Sequence, residues 1–218
     1  MNSSVSVSQL REHLIVFARY PELGRVKTRL AADIGPAQAL AVYRQLLLHT
    51  QAVAAPLPVH KTVWLAEAGP AADRTATWTG YEQLPQPPGD LGAKMQAAFA
   101  HDFTRGGQSV VIIGTDCPGL TTAHLTEAFQ ALQDHDVVLG PAADGGYYLL
   151  GMKQLWPDFF QHKTWSTASV RADTEADVAR LGLRLHQLPT LSDIDTGADL
   201  RAWQATTGGT LGAGLPVW

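Results

Sequence analysis

The sequence predicts an α/β protein, a single domain with a mostly parallel sheet flanked by helices. Three observations lead there. Apolar, strand-like runs alternate with segments of helical periodicity along most of the chain. One run, Ser109–Gly114, is almost entirely Val and Ile, as expected of a strand buried on both faces of a parallel sheet. The loops that follow the strands carry more charge and glycine than a plain connection needs.

His13–Ala18 reads as the first strand. Pro36–Ala54 reads as a helix, because Ala39, Leu40, Tyr43, Leu46, Leu47 and Thr50 recur at helical spacing and Pro36 is tolerated in a first turn. Val59–Leu65 is the second strand, and a Pro- and Gly-rich loop, Leu84–Gly89, leads into a helix over Gly92–Phe103. After the Val/Ile strand come a helix at Thr121–Gln133, short strands at Val137–Gly140 and Tyr147–Met152, a helix at Thr167–Leu181, a strand at Arg184–Gln187 and a last helix from Thr196. The domain is expected to run over 13–205, between a flexible N-terminus at 1–12 and a loosely held Gly-rich tail at 206–218.

Composition narrows the functional classes. With 218 residues, 45% hydrophobic and 17% charged, the chain has enough apolar side chains for one sizeable core. A net charge of -4 gives no general attraction to nucleic acid or to an anionic membrane, so any cationic cluster serves a local, small anion. The single cysteine, Cys117, excludes an intrachain disulfide and a multi-Cys zinc site, and suits a reducing cytoplasm. Leu14–Ala18 is too short for a membrane span or a signal-peptide core. Oligomeric state is not written in any of these features.

The strand-ending loops carry the chemistry, because ligands of parallel α/β sheets bind at the carboxyl ends of strands. The first, FARYPELGRVKTRL, holds Arg19, Arg25, Lys27 and Arg29, with Gly24 free to adopt a positive φ or let a ligand approach. Such a loop suits a polyphosphate; the alternative is a solvated charge run entering a helix. It is not a Walker A loop, since Val26 precedes Lys27-Thr28 where that motif has Gly. Asp116 follows the buried strand and is placed for a hard cation with phosphate ligands, or else serves the turn that Asp-x-Pro-Gly favours. Cys117 has no nearby His to activate it and reads as a small buried hydrophobe.

Asp193 and Asp195 lie two apart, so an extended backbone points both the same way. One of them can reach a metal, or Asp195-Thr196 simply caps the last helix, on whose outer face Asp199 is expected. Asp144 beside Gly145 and Gly146 suits the approach of a sugar or acceptor, or a tight turn. Trp165 and Trp203 belong either to an acceptor pocket or to the core.

Taken in order, FARYPELGRVKTRL, GDLGAKM, IGTDCPGL, GPAADGGYYLLGM, TWST and DIDTGADL resemble the nucleotide-diphospho-sugar transferase superfamily over Leu14–Trp203. That superfamily has a Rossmann-like, A-type glycosyltransferase fold and holds nucleotidyltransferases as well as glycosyltransferases. The set is similar to a bacterial family of little-characterised transferases, usually labelled glycosyltransferases. The resemblance implies that Arg19, Gly24, Arg25, Lys27 and Arg29 hold a triphosphate, with Lys27 meeting the β- and γ-phosphates, and that Lys27, Arg25 and Asp116 are catalytic. It implies that Asp90, Leu91 and Gly92 contact base and ribose and that Asp116 and Asp195 hold Mg2+ or Mn2+. Asp144, Gly145, Gly146 and Trp165 are the residues expected to face the acceptor or sugar, on their own chemistry rather than on the resemblance.

The chain departs from the better-known members. Pro21 and Glu22 stand where the pyrophosphorylases carry glycines, and Thr115-Asp116-Cys117 offers one carboxylate where glycosyltransferases carry Asp-x-Asp. Asp116–Leu120, Asp-x-Pro-x-Leu, is nearer to guanylyl- and cytidylyltransferases. The implied function is nucleotidyl transfer from a nucleoside triphosphate to a phosphorylated acceptor. The alternatives are glycosyl transfer from a nucleotide-sugar, with Asp144 as base, and a nucleotide-binding module without turnover.

Overall fold

A computed structural model describes residues 11–66, 78–208, 210–211 and 215–216. Of the termini expected to be loosely held, 1–10, 209, 212–214 and 217–218 lie outside the described residues.

Side-chain alternation in β1 (Glu12–Arg19) sends Leu14 and Val16 to one face of the sheet and Ile15 to the other. The chain continues through α1 (Thr28–Ile34), α2 (Pro36–Ala54), β2 (His60–Ala66), β3 (Glu82–Pro85), α3 (Leu91–Thr104), β4 (Ser109–Ile113) and α4 (Thr122–Asp134). It ends with β5 (Val137–Pro141), β6 (Tyr147–Met152), a 3-10 turn at Pro157–Phe160, α5 (Val170–Arg180), β7 (Leu185–Gln187), α6 (Gly197–Thr207) and the two-residue strands β8 (Thr210–Leu211) and β9 (Leu215–Pro216).

Seven of these strands form one sheet in the order β3-β2-β1-β4-β6-β5-β7, and β6 alone runs against the rest. The expected α/β class with a mostly parallel sheet is what the chain adopts. On one face α2 and α4 bury Tyr43, Leu47, Leu125 and Phe129 against Val63, Val111 and Val138. On the other, α3 and α5 cover Ile112, Leu139 and Leu150 with Met95, Phe99 and Val178. Both faces of β4 and β5 are therefore apolar, which accounts for their unbroken hydrophobic runs. No helix among the described residues is long and apolar enough to cross a membrane.

Most elements fall within a few residues of their expected places, and α2 and β6 match at both ends. Sequence periodicity does not reveal α1 or β3. The first is seven residues long and follows a charged loop; the second has four and ends in Pro85, as an edge strand tolerates. The α5 helix begins at Val170 rather than Thr167, because Ser166 has a φ of 62° and Thr167 closes a turn onto Val170.

A smaller cluster fixes the site. Leu30 of α1, Ala39, Val42 and Leu46 of α2, and Ile194 and Leu200 around α6 pack together. Asp33 Oδ2 accepts the Gly197 N–H at 2.7 Å and so caps α6 from α1. This packing brings the basic loop after β1 beside the acidic segment before α6. The sheet order changes direction between β1 and β4, the topological switch point at which ligands of such sheets bind.

Phe99, fully buried and within 5.8 Å of the Phe160 ring, anchors α3 on the sheet. Phe99→Ala is expected to lower unfolding free energy by about 3–5 kcal/mol, read from urea denaturation.

Candidate active site

A cleft of about 650 Å3 opens at the carboxyl ends of β1 and β4. Its walls include Arg19, Arg25, Lys27 and Arg29 from the first loop, Gly114–Asp116 after β4, Leu91 and Lys94 from α3, and Asp195. The loop turns at Gly24, whose φ of 75° requires glycine. Tyr43 holds its start: the hydroxyl accepts the Arg19 N–H at 2.8 Å and donates to the Arg19 carbonyl at 3.1 Å. Burial above all keeps that phenol protonated, pushing it up to about 12.

Lys27 is the centre of the site. Its backbone is left-handed, φ 47° and ψ 46°, which is rare for a side chain of this size and turns it inward. The ammonium donates to the Ile194 carbonyl at 2.6 Å and to Asp195 Oδ1 at 2.9 Å, and pairs with Asp116 Oδ1 at 2.9 Å. The side chain is 5% exposed. Burial works against its charge, but Asp116 and Asp195 together outweigh burial and hold it above the ordinary lysine value. Lys27 thus points at the carboxylate pair, whereas its expected meeting with β- and γ-phosphates concerns the nucleotide-bound cleft. A cation of this burial goes to the most negative point within reach, which is the carboxylate pair. Arg25 and Arg29 instead lie at the surface, 59% and 72% exposed, with Arg29 3.6 Å from Asp195 Oδ2.

Asp193 adds a third carboxylate. Burial first, and then Asp116, push it up to about 7, and its buried Oδ1 has no hydrogen-bond partner among the described residues. Two carboxylates, Asp116 and Asp195, thus contact the ammonium, and Asp193 is near enough to feel the charges of all three. Oxygen donors in this number, one of them orphaned, fit a hard divalent cation such as Mg2+ or Mn2+. Cys117, buried beside them, is pushed up to about 12 by burial and by Asp193, which leaves no thiolate for nucleophilic work.

The segment 191–199 is positioned by backbone pairing. Ile194 N–H donates to the Asp116 carbonyl at 2.9 Å, and Ala143 N–H to Leu191. Thr196 caps α6, with Asp199 as its reciprocal partner. Asp199 Oδ2 accepts from Asp195 N, Thr196 N and the Thr196 hydroxyl. The sequence expectation of Asp199 on an outer, unengaged face is corrected here: its carboxylate fixes the backbone that presents Asp195.

Other expected contact residues have structural partners. Asp90 caps α3, accepting from Ala93 N–H at 2.8 Å, and Gly92 leaves room for the Trp165 ring, which lies 2.5 Å from where a Cβ would stand. Trp165 packs with the core on the α3 side, so its ring is not on the cleft wall, although the neighbouring Ser166 is. Asp144 folds back onto Gly146 N–H at 2.9 Å, and Gly145 presses on the Ala168 backbone. Neither Asp144 nor the two glycines lines the cleft. Conversely, Tyr43, Gln86, Lys94 and Ser166 line it without having been picked out. Lys94 lies inside the quoted GDLGAKM, one helical turn from Asp90, and that spacing was its one available signal.

Residues 46–167 match the family described as "Uncharacterized protein conserved in bacteria (DUF2064)". The chain belongs to this family. A solved structure from Desulfovibrio desulfuricans G20, described as a candidate nucleotide-diphospho-sugar transferase, is 31% identical, with a TM-score of 0.86 over 91% of this chain and 88% of that one. A phosphoenolpyruvate guanylyltransferase from Chloroflexus aggregans is 28% identical over 82% of this chain and 91% of its own length. A manganese complex of Rv0371C from Mycobacterium tuberculosis H37Rv is 17% identical at a TM-score of 0.57, over 88% of this chain and 97% of that one, a likeness of fold alone. The superfamily resemblance read from the motifs agrees with these relatives, and the first two are both named as transferases.

Asp199→Ala removes the acceptor of three hydrogen bonds at the start of α6. A stability loss of about 1–2 kcal/mol is expected, measured by thermal melting against wild type.

Proposed function

We propose that the chain is a metal-dependent nucleotidyltransferase, moving a nucleoside monophosphate from a nucleoside triphosphate to a phosphorylated acceptor with release of pyrophosphate. The observation that carries this reading is the charge layout of the cleft. The exposed Arg19, Arg25 and Arg29 and the half-buried Lys94 share one open space with the Asp116 and Asp195 carboxylates at the switch point of the sheet. The C. aggregans relative supports it, since phosphoenolpyruvate is itself a phosphorylated acceptor.

In this reading the triphosphate lies along Gly24–Arg29, where arginine forks neutralise its oxygens. Base and ribose extend past Leu91 toward an adjoining hollow of about 430 Å3 lined by Gln86–Gly89, Arg19 and Lys94. Asp116 and Asp195 would hold Mg2+ or Mn2+, with Asp193 as the third carboxylate of the cluster. Such an ion draws off the negative charge that builds on phosphate oxygens during transfer. The Lys27 ammonium exchanges a carboxylate for a β- or γ-phosphate oxygen when triphosphate arrives, one anionic acceptor for another.

An oxygen of the acceptor phosphate forms the new bond to the α-phosphorus, and the bond from that phosphorus to the bridging oxygen breaks. The electron pair leaves with pyrophosphate, toward Lys27 and Arg25. The acceptor is already ionised at neutral pH, so no side chain has to take a proton. Glycosyl transfer is the competing chemistry, but its best base, Asp144, is tied into a turn by Gly146 N–H and stands off the cleft wall. A module without turnover would bind the same nucleotide without releasing pyrophosphate, which the assay below distinguishes. Residues 13–205 form the catalytic domain in this proposal, which acts in the cytoplasm on small molecules and not on nucleic acid.

Lys27→Ala is expected to slow pyrophosphate release by about 100-fold or more, while nucleoside monophosphate binding weakens by less than about tenfold. The assay follows pyrophosphate from each nucleoside triphosphate with phosphoenolpyruvate and other phosphorylated acceptors. Nucleoside diphosphate release from a nucleotide-sugar, with no pyrophosphate from any triphosphate, would overturn the proposal in favour of glycosyl transfer.

A further inference from the structure

The opposite end of the sheet holds a second cluster of ionisable groups. His13 near the start of β1 stands in register with His60 at the start of β2, and their rings lie 4.8 Å apart. Asp102, on the last turns of α3, reaches them fully buried. His13 Nδ1 and Asp102 Oδ1 are hydrogen-bonded at 2.8 Å, and the Thr62 hydroxyl donates to Oδ2 at 3.4 Å. Candidate ligand atoms of His13, His60 and Asp102 all lie within 4.8 Å of one another.

A buried His–Asp hydrogen bond on its own would account for His13 and Asp102. It does not account for His60, whose buried Nε2 makes no hydrogen bond although Glu82 Oε2 is 3.4 Å away. Nor does it account for His101, whose Nδ1 is also buried without a hydrogen bond, 3.6 Å from Asp102 Oδ2. Buried ring nitrogens are ordinarily satisfied. Two imidazole nitrogens beside this carboxylate, His60 Nε2 and His101 Nδ1, are therefore buried without a hydrogen bond among the described residues.

We infer that His13, His60 and Asp102 form a binding site for a transition-metal dication of the zinc class, separate from the cleft. Two imidazoles and a carboxylate are the donor set of Zn2+ and Co2+, whereas Mg2+ takes oxygen ligands. The metal takes the place of the proton between His13 Nδ1 and Asp102 Oδ1, which passes to solvent, and the His60 ring closes in as third ligand. A water or Glu82 completes the shell; Glu82 is within reach but shared with Arg105 at 3.2 Å. Arg19 in the cleft lies six residues along the strand from His13, a separation of about 20 Å, so the two sites do not share ligands. Metal here clamps β1, β2 and α3 to one another, a structural rather than catalytic task.

The test uses the full chain, stripped with a chelator and titrated with Co2+ alone while its visible d–d bands are followed. With excess Mg2+ present to occupy the cleft, one equivalent of Co2+ is expected to give the bands in wild type and in Asp116→Asn, and His60→Ala is expected to bind at least about tenfold more weakly. Zn2+ is expected to raise the melting temperature of wild type and not of His60→Ala. Absence of Co2+ bands in wild type overturns the inference whatever the stability of the variants. Equal binding by His60→Ala, or loss of the bands in Asp116→Asn, does so as well.

Discussion

The Lys27 ammonium, lying between Asp116, Asp195 and the Ile194 carbonyl, joins three segments far apart in sequence. The basic loop after β1, the turn after β4 and the strand-like run before α6 meet at one nitrogen. The left-handed backbone at Lys27 costs roughly 1–2 kcal/mol, and burying its stem removes rotamer freedom. What offsets those costs is local: two carboxylates within 2.9 Å, and the apolar packing of Leu30, Leu46, Ile194 and Leu200 that brings the loops together. The same contact fixes the electrostatics of the cleft: with Lys27 turned inward, the cations at its surface include Arg25, 3.4 Å from Glu22, and Arg29, 3.6 Å from Asp195.

The arrangement has an internal logic of charge. Asp193, raised first by burial and then by the nearby Asp116 charge, keeps its buried Oδ1 without a hydrogen bond among the described residues. A divalent cation would neutralise the neighbouring carboxylates, and a triphosphate would accept the displaced ammonium. Under the proposed function, metal and nucleotide would be complementary to the same contact, each making room for the other.

Much of this was legible in the sequence. The Val/Ile run of β4 showed a strand buried on both faces, and the ordered motifs placed Asp116, Asp195 and the cationic loop at strand ends. What was not legible follows from geometry that spacing does not encode. The sequence shows that Lys27 is in the loop, but only the left-handed φ at that residue decides that it points in rather than out. Gly92 and Trp165 each looked like ligand contacts, yet the one is glycine because the other's ring rests on it, a pairing 73 residues apart in sequence. Asp144 and Asp199 are carboxylates satisfied by nearby backbone N–H groups, which a sequence cannot distinguish from carboxylates aimed at a ligand. The His13, His60 and Asp102 cluster went unseen because its members lie on three separate elements.

Lys27 occupies the Asp116 and Asp195 carboxylates, and under the proposed function it would yield them to a metal when a nucleotide binds. A crystal structure with a non-hydrolysable nucleoside triphosphate and Mn2+, recorded at the manganese edge, tests it most directly. The account predicts an anomalous peak between Asp116 and Asp195, the triphosphate along Gly24–Arg29, and Lys27 Nζ on a phosphate oxygen. A triphosphate bound with Lys27 still wedged between the two carboxylates, or manganese bound elsewhere, would contradict it.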